Sequence, residues 1–86
     1  MPEVSRFFGI VIGMYWQEHG VPHFHAKYGE HRASFSIAEL SLLEGQLPPR
    51  VAGLVLEWAF RHQAELMENW NLAMARRALR EIAPLE

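Results

Sequence analysis

Cysteine is absent from the chain. That excludes disulfides, thiolate zinc sites and thiol nucleophiles. Charge of one sign is not in excess: eight Lys and Arg stand against ten Asp and Glu, a formal net charge of −2. This balance gives no general attraction for nucleic acid and leaves only a local basic patch to supply one. Long hydrophobic runs are lacking too. The apolar stretch inside MPEVSRFFGIVIGMY is too short for a membrane span, and it has neither a basic leader nor a small-residue cleavage pattern. A soluble cytoplasmic protein that does not engage membranes is the expectation. There is no internal repeat, low-complexity tract or linker. The 86 residues therefore read as one domain, small enough that oligomerisation would help its stability.

What the chain does have is apolar residues at half of all positions, with three Trp, five Phe and two Tyr. That is ample for a core. The pattern changes character at Gly45-Gln46-Leu47-Pro48-Pro49. Before it the period is two; after it the period is helical. Phe8 to Trp16 reads as a first strand, with Ile10, Ile12 and Met14 on one side and Val11, Gly13 and Tyr15 on the other. Gln17 to Val21 reads as a turn, His23 to Tyr28 as a second strand, and Arg32 to Ile37 as a third. Ser41 to Glu44 reads as a short fourth, with Ser36 to Leu40 as a competing turn of helix. The fold class expected is α+β: a three- to four-stranded, mainly antiparallel β-meander over about residues 7–45, followed by a long helix or helix pair over 49–80 packed on one face.

Pro49 suits a first helical turn. Beyond it Val51, Val55, Trp58, Ala59, Leu66, Trp70, Ala73 and Met74 recur on one stripe, with His62 among them. One continuous helix would span about 45 Å, against about 17 Å for the strands beneath it. Good helix formers at Gln63-Ala64-Glu65-Leu66 favour continuity over a break near 62–65. The overhang then favours a homodimer or higher oligomer, with Trp70 and Met74 as interface residues. Arg76, Arg77 and Arg80 read as cations complementing the helix C-terminus, and Asn69 and Asn71 as polar or exposed positions.

The stretch PHFHAKYG, Pro22 to Gly29, carries the chemistry. Strand alternation puts His23, His25 and Lys27 on one face and Phe24, Ala26 and Tyr28 on the other. Tyr15, Arg32, Ser34 and Ser36 join the histidines on a polar, basic and aromatic face. An antiparallel sheet can leave such a face in water with no function attached. Three functional alternatives stand beside that plain reading. A binding face would use Lys27 and Arg32 for phosphates and Tyr15, His23 and His25 for stacking. An acid–base pair would use His23 and His25 as catalytic groups for metal-independent ribonuclease chemistry, with Lys27 or Arg32 stabilising the transition state. A metal site would use His23 and His25 as ligands and draw a third from His19, His31, Glu18 or Glu30. No cofactor is otherwise expected, and the reading leans to a non-enzymatic module.

The sequence resembles a family of small bacterial proteins, domain of unknown function 4160. The resemblance lies in SRFFGIVI, GVPHFHAKYG, LEGQLPPR and LVLEWAFRHQAELMENWNLA, which together span nearly the whole chain. Members are typically stand-alone. Their genes often neighbour one for a second small domain of unknown function, number 2442, and the pair is suspected of being toxin–antitoxin-like. Some members carry a label of transcriptional regulator. The resemblance thus implies a regulatory module with a small protein partner encoded nearby, and nucleic acid as a further partner. The family motif reads Pro-Pro-His-Phe-His; here Val21 replaces the first proline, which should loosen the turn. Gly13 is expected to open space beside Tyr15.

Overall fold

A computed structural model describes residues 1–86. Its strands are β1 Glu3–Phe7, β2 Ile10–Gly13, β3 His23–Tyr28, β4 His31–Ser36 and β5 Leu42–Gln46, followed by helices α1 Pro49–Arg61 and α2 Gln63–Met74. The strands form one sheet in the order β1-β2-β3-β4-β5, every neighbour antiparallel. The α+β class and the meander are as the pattern predicts, with five strands in place of three or four.

The extra strand is β1, which lies before the first strand expected from Phe8 to Trp16; of that region only Ile10–Gly13 is strand. Phe8 and Gly9 both take positive φ, 49° and 79°, and the chain reverses between β1 and β2. Two successive positive φ values match the primed turns that suit hairpin twist. Asn-Gly is the usual signal for such a turn. A bulky Phe at its first position is uncommon, so the apolar run conceals it. The segment 36–40 resolves as a single turn: the Leu40 N–H donates to the Ser36 carbonyl at 2.9 Å, and the Glu39 N–H donates to the Ser36 hydroxyl at 3.1 Å.

Alternation sorts the apolar face as expected, but not all of the polar one: Ser34 and Ser36, expected on the open face, are buried, as is His23. Ile10, Ile12, Met14, Phe24, Ala26, Ala33, Phe35 and Ile37 are buried, and Tyr28 packs partly against them. Val51, Val55, Trp58 and Ala59 form the buried stripe of α1. Burial of the larger aliphatic and Phe side chains among these stabilises a domain by about 1.5–3 kcal/mol each.

Of the long helix or helix pair expected over 49–80, the pair forms, and it ends at Met74. His62 leaves helical geometry (φ −125°, ψ 24°) and separates α1 from α2. Neither Pro nor Gly marks the break. Tertiary contacts hold it: the Gln63 side-chain amide donates to the Ile37 carbonyl at 2.8 Å, and the His62 ring lies 5.4 Å from Trp58. The overhang that favoured a dimer therefore does not arise. Trp70 is buried in its own chain, while Met74 is exposed. α2 ends where Arg76 takes a left-handed φ of 58° and the Arg77 N–H donates to the Leu72 carbonyl at 2.8 Å, a closure that usually uses Gly. Arg76, Arg77 and Arg80 consequently lie beyond the last helical turn.

The chain after α2 forms a strap back to β1. Buried Asn69 holds it at both amide atoms: Nδ2 donates to the Arg80 carbonyl at 2.9 Å, and Oδ1 accepts the Arg80 N–H at 2.8 Å. The Trp58 indole N–H donates to the Ala83 carbonyl at 2.8 Å, and the Ile82 N–H donates to the Val4 carbonyl at 2.8 Å. No helix is long and apolar enough to cross a membrane.

Candidate functional site

The face away from the helices is ordered in rows by strand register. One row reads Arg6, Val11, Lys27, Arg32, Gln46 across the five strands; the next reads Glu3, Gly13, His25, Ser34, Glu44. A groove of about 920 Å³ runs over these rows, its lining including Tyr15, His25, Lys27, Arg32, Ser34 and Glu44. Gly13 does not open space there. A Cβ at Gly13 would stand 2.5 Å from the Pro2 carbonyl oxygen and 2.6 Å from the Met1 side chain. The absent side chain makes room for the N-terminal segment, whose Pro2 carbonyl accepts the Met14 N–H at 3.1 Å.

At one end of the groove stands a cluster built by the loop between β2 and β3. The end of α2 and the residues just after it pin that loop. The Gln17 N–H donates to the Ala73 carbonyl at 3.4 Å, and the Trp16 indole N–H donates to the Arg77 carbonyl at 2.9 Å. Glu18 is thereby set against β3. Its Oε1 lies 2.6 Å from His25 Nε2, and its Oε2 lies 3.2 Å from His23 Nε2. One ligand atom from each of Glu18, His23 and His25 fits within a 4.8 Å span.

The two histidines differ. His25 is partly exposed, with Tyr15 edge-on at 5.0 Å between ring centroids. His23 is only 8% exposed, its ring 5.2 Å from Trp70 of α2 and 5.1 Å from His25. The open setting expected for His23 gives way because the bend at His62 brings Trp70 over it. Partial burial would raise the Glu18 carboxyl. The hydrogen bond from His25, the charge interaction with His25, and the same contacts from His23 outweigh that and hold it below the ordinary carboxylate range.

Hydrogen-bond partners fix the chemistry further. His23 Nδ1 lies 2.7 Å from the Val21 carbonyl. A carbonyl only accepts, so Nδ1 carries the hydrogen. In a neutral ring Nε2 then presents a lone pair to the Glu18 carboxylate. Two lone pairs 3.2 Å apart repel; a proton or a metal cation between them turns the contact favourable. A backbone carbonyl on the far nitrogen is also the usual way a protein orients a metal-ligating histidine. Two imidazole nitrogens and one carboxylate suit zinc, or iron(II) with open positions.

Of the residues the sequence singles out, Tyr15, His25, Lys27 and Arg32 meet in one groove. His23 joins His25 from beneath Trp70, and Glu18 is the one of the four acidic and histidine candidates that completes the set. The supports supplied by Gln17, Trp16 and Trp70 carry no sequence signal, because all depend on where α2 lies.

The model of the family described as Domain of unknown function (DUF4160) matches residues 9–71. That span includes Glu18, both histidines of the cluster, Lys27, Arg32 and Trp70, and leaves out β1 and the strap. No curated protein and no solved structure matches the chain.

Proposed function

The chain belongs to the Domain of unknown function (DUF4160) family, and from that premise we propose that it is a metal-binding module. Its ligands for one divalent transition ion are Glu18, His23 and His25. The observation that carries the reading is the orientation of His23: Nδ1 is spent on Val21, so Nε2 faces the Glu18 carboxylate, a contact that a proton or a metal cation between them makes favourable. Binding replaces the 2.6 Å hydrogen bond between His25 and Glu18 with two metal bonds of about 2.0–2.2 Å each. Three protein ligands would leave a four-coordinate ion one position for water or a substrate.

The metal-independent ribonuclease reading is supported less well. It asks two imidazoles to face one phosphate, whereas both Nε2 atoms face Glu18 and His23 is covered by Trp70.

Calorimetric titration with zinc is expected to give one site per chain. Glu18→Gln and His25→Ala should each weaken it by more than the about 10–100-fold that loss of an outer-shell support costs. Both positions are partly exposed, so both variants should fold. Unchanged zinc uptake in the double variant would remove the metal centre from consideration.

A protein partner, implied by the family resemblance, finds support in β5. All five of its residues are exposed, Leu42 and Leu43 included, and its outer edge is unpaired. Such an edge invites an added strand. Light scattering after size exclusion should show a complex with the neighbouring gene's product that Leu43→Lys weakens; separate elution of the two proteins counts against pairing.

A further inference from the structure

We propose that the groove beside the metal cluster takes a nucleoside monophosphate, with Lys27 and Arg32 holding its phosphate, the metal ion completing that subsite and Tyr15 stacking on the base. The proposal rests on the metal reading above for one of its contacts and on the sheet register for the rest.

Lys27 stands directly opposite Arg32 in the antiparallel pairing of β3 with β4. Like charges in that position destabilise a sheet. Neither side chain forms an ion pair: the protein's salt bridges involve Arg6, Arg61, Arg80 and three histidines. Arg6, in the same row, is neutralised by Glu3 through contacts of 2.8 and 3.2 Å. The row therefore holds one compensated cation and, beyond Val11, two adjacent uncompensated ones. An anion between Lys27 and Arg32 would turn this mutual repulsion into two charge-assisted contacts.

His25 precedes Lys27 by two residues on the same face, about 7 Å along the strand. A phosphate between the cations and the cluster thus lies within reach of a metal held by His25. The exposed Tyr15 ring, 42% accessible and edge-on to His25, flanks the same groove. A nucleobase has the flat face that such a ring takes.

Size and charge select a single nucleotide over a polymer. About 920 Å³ suits one small ligand. Glu3 and Glu44 stand at the two ends of the row beside the cations and close off a continuing cationic track. The chain's net charge of −2 adds no long-range pull on a polyanion.

Calorimetry with adenosine monophosphate, inorganic phosphate and a single-stranded RNA ten-mer tests this, on zinc-loaded and chelator-treated protein. The zinc-loaded protein should bind the monophosphate. Arg32→Thr and Lys27→Thr should each lower that affinity by about tenfold or more, and each should raise the thermal unfolding midpoint by relieving the repulsion. Tyr15→Ala should weaken the nucleotide and leave inorganic phosphate unchanged. Chelation should weaken both. Absence of phosphate and nucleotide binding by zinc-loaded protein overturns the inference and leaves the metal centre standing. Nucleotide binding indifferent to zinc overturns the shared subsite. The ten-mer binding far more tightly than the monophosphate, with a salt dependence of more than two charges, overturns the single-nucleotide assignment.

Discussion

Replacing Trp58 with alanine is expected to cost about 3–5 kcal/mol of unfolding free energy, the largest loss from any single truncation in the core. The indole is fully buried. Its ring centroid lies 5.4 Å from Phe7, 6.1 Å from Phe24 and 5.4 Å from His62, so it joins β1, β3 and the helix break. Its N–H also anchors the strap through the Ala83 carbonyl at 2.8 Å. A chain of 86 residues has about 4–13 kcal/mol in total, so the variant loses a large share of its stability and is unfolded if the total lies at the low end of that range. Urea denaturation followed by far-ultraviolet circular dichroism measures this. Trp58→Phe separates the contributions, because it keeps most of the packing and loses a hydrogen bond of about 1 kcal/mol net. A shift below 1 kcal/mol for the alanine variant would mean that helix and sheet do not meet at this residue.

The apolar face of the sheet was readable from alternation alone. Ile10, Ile12, Met14 and Phe24 are all buried, on the side assigned to them. The pattern works there because one face must be dry, and a one-residue slip would reverse every side chain. Where local signals were atypical the reading failed. The Phe8-Gly9 reversal has Phe where Asn is usual, and α2 closes on Arg76 where Gly is usual. The break at His62 has no local cause at all, since Gln63, Trp58 and the sheet hold it from outside the helix. His-x-His spacing brought His23 and His25 to attention, and Glu18 was one of four nearby candidates for a third partner. Choosing Glu18 required the loop conformation, which α2 and the residues just after it set through Ala73 and Arg77. Strand register could not show that His23 would be roofed by Trp70, because register describes neighbours within the sheet and not what crosses its end.

That roof is the link between fold and site, so Trp70→Ala should damage both. Trp70 is buried and packs its ring 5.2 Å from His23. Truncation is expected to destabilise the protein by about 3 kcal/mol or more. It also removes the wall that fixes the His23 ring, which then keeps the bond from Nδ1 to the Val21 carbonyl and the 3.2 Å contact of Nε2 with Glu18. A ligand left free to rotate loses pre-organisation, and zinc affinity should fall by about 10–100-fold. Trp70→Phe retains an aromatic wall and should keep most of the affinity. Measuring zinc binding at low temperature, where circular dichroism confirms that the variant is folded, separates the two effects. The imidazole proton resonances of His23 supply an independent readout, since loss of the indole ring current should move them in the alanine variant even before metal is added. Full zinc affinity in folded Trp70→Ala would show that the Val21 carbonyl and Glu18 orient His23 without the indole, and that Trp70 contributes stability but nothing to the site.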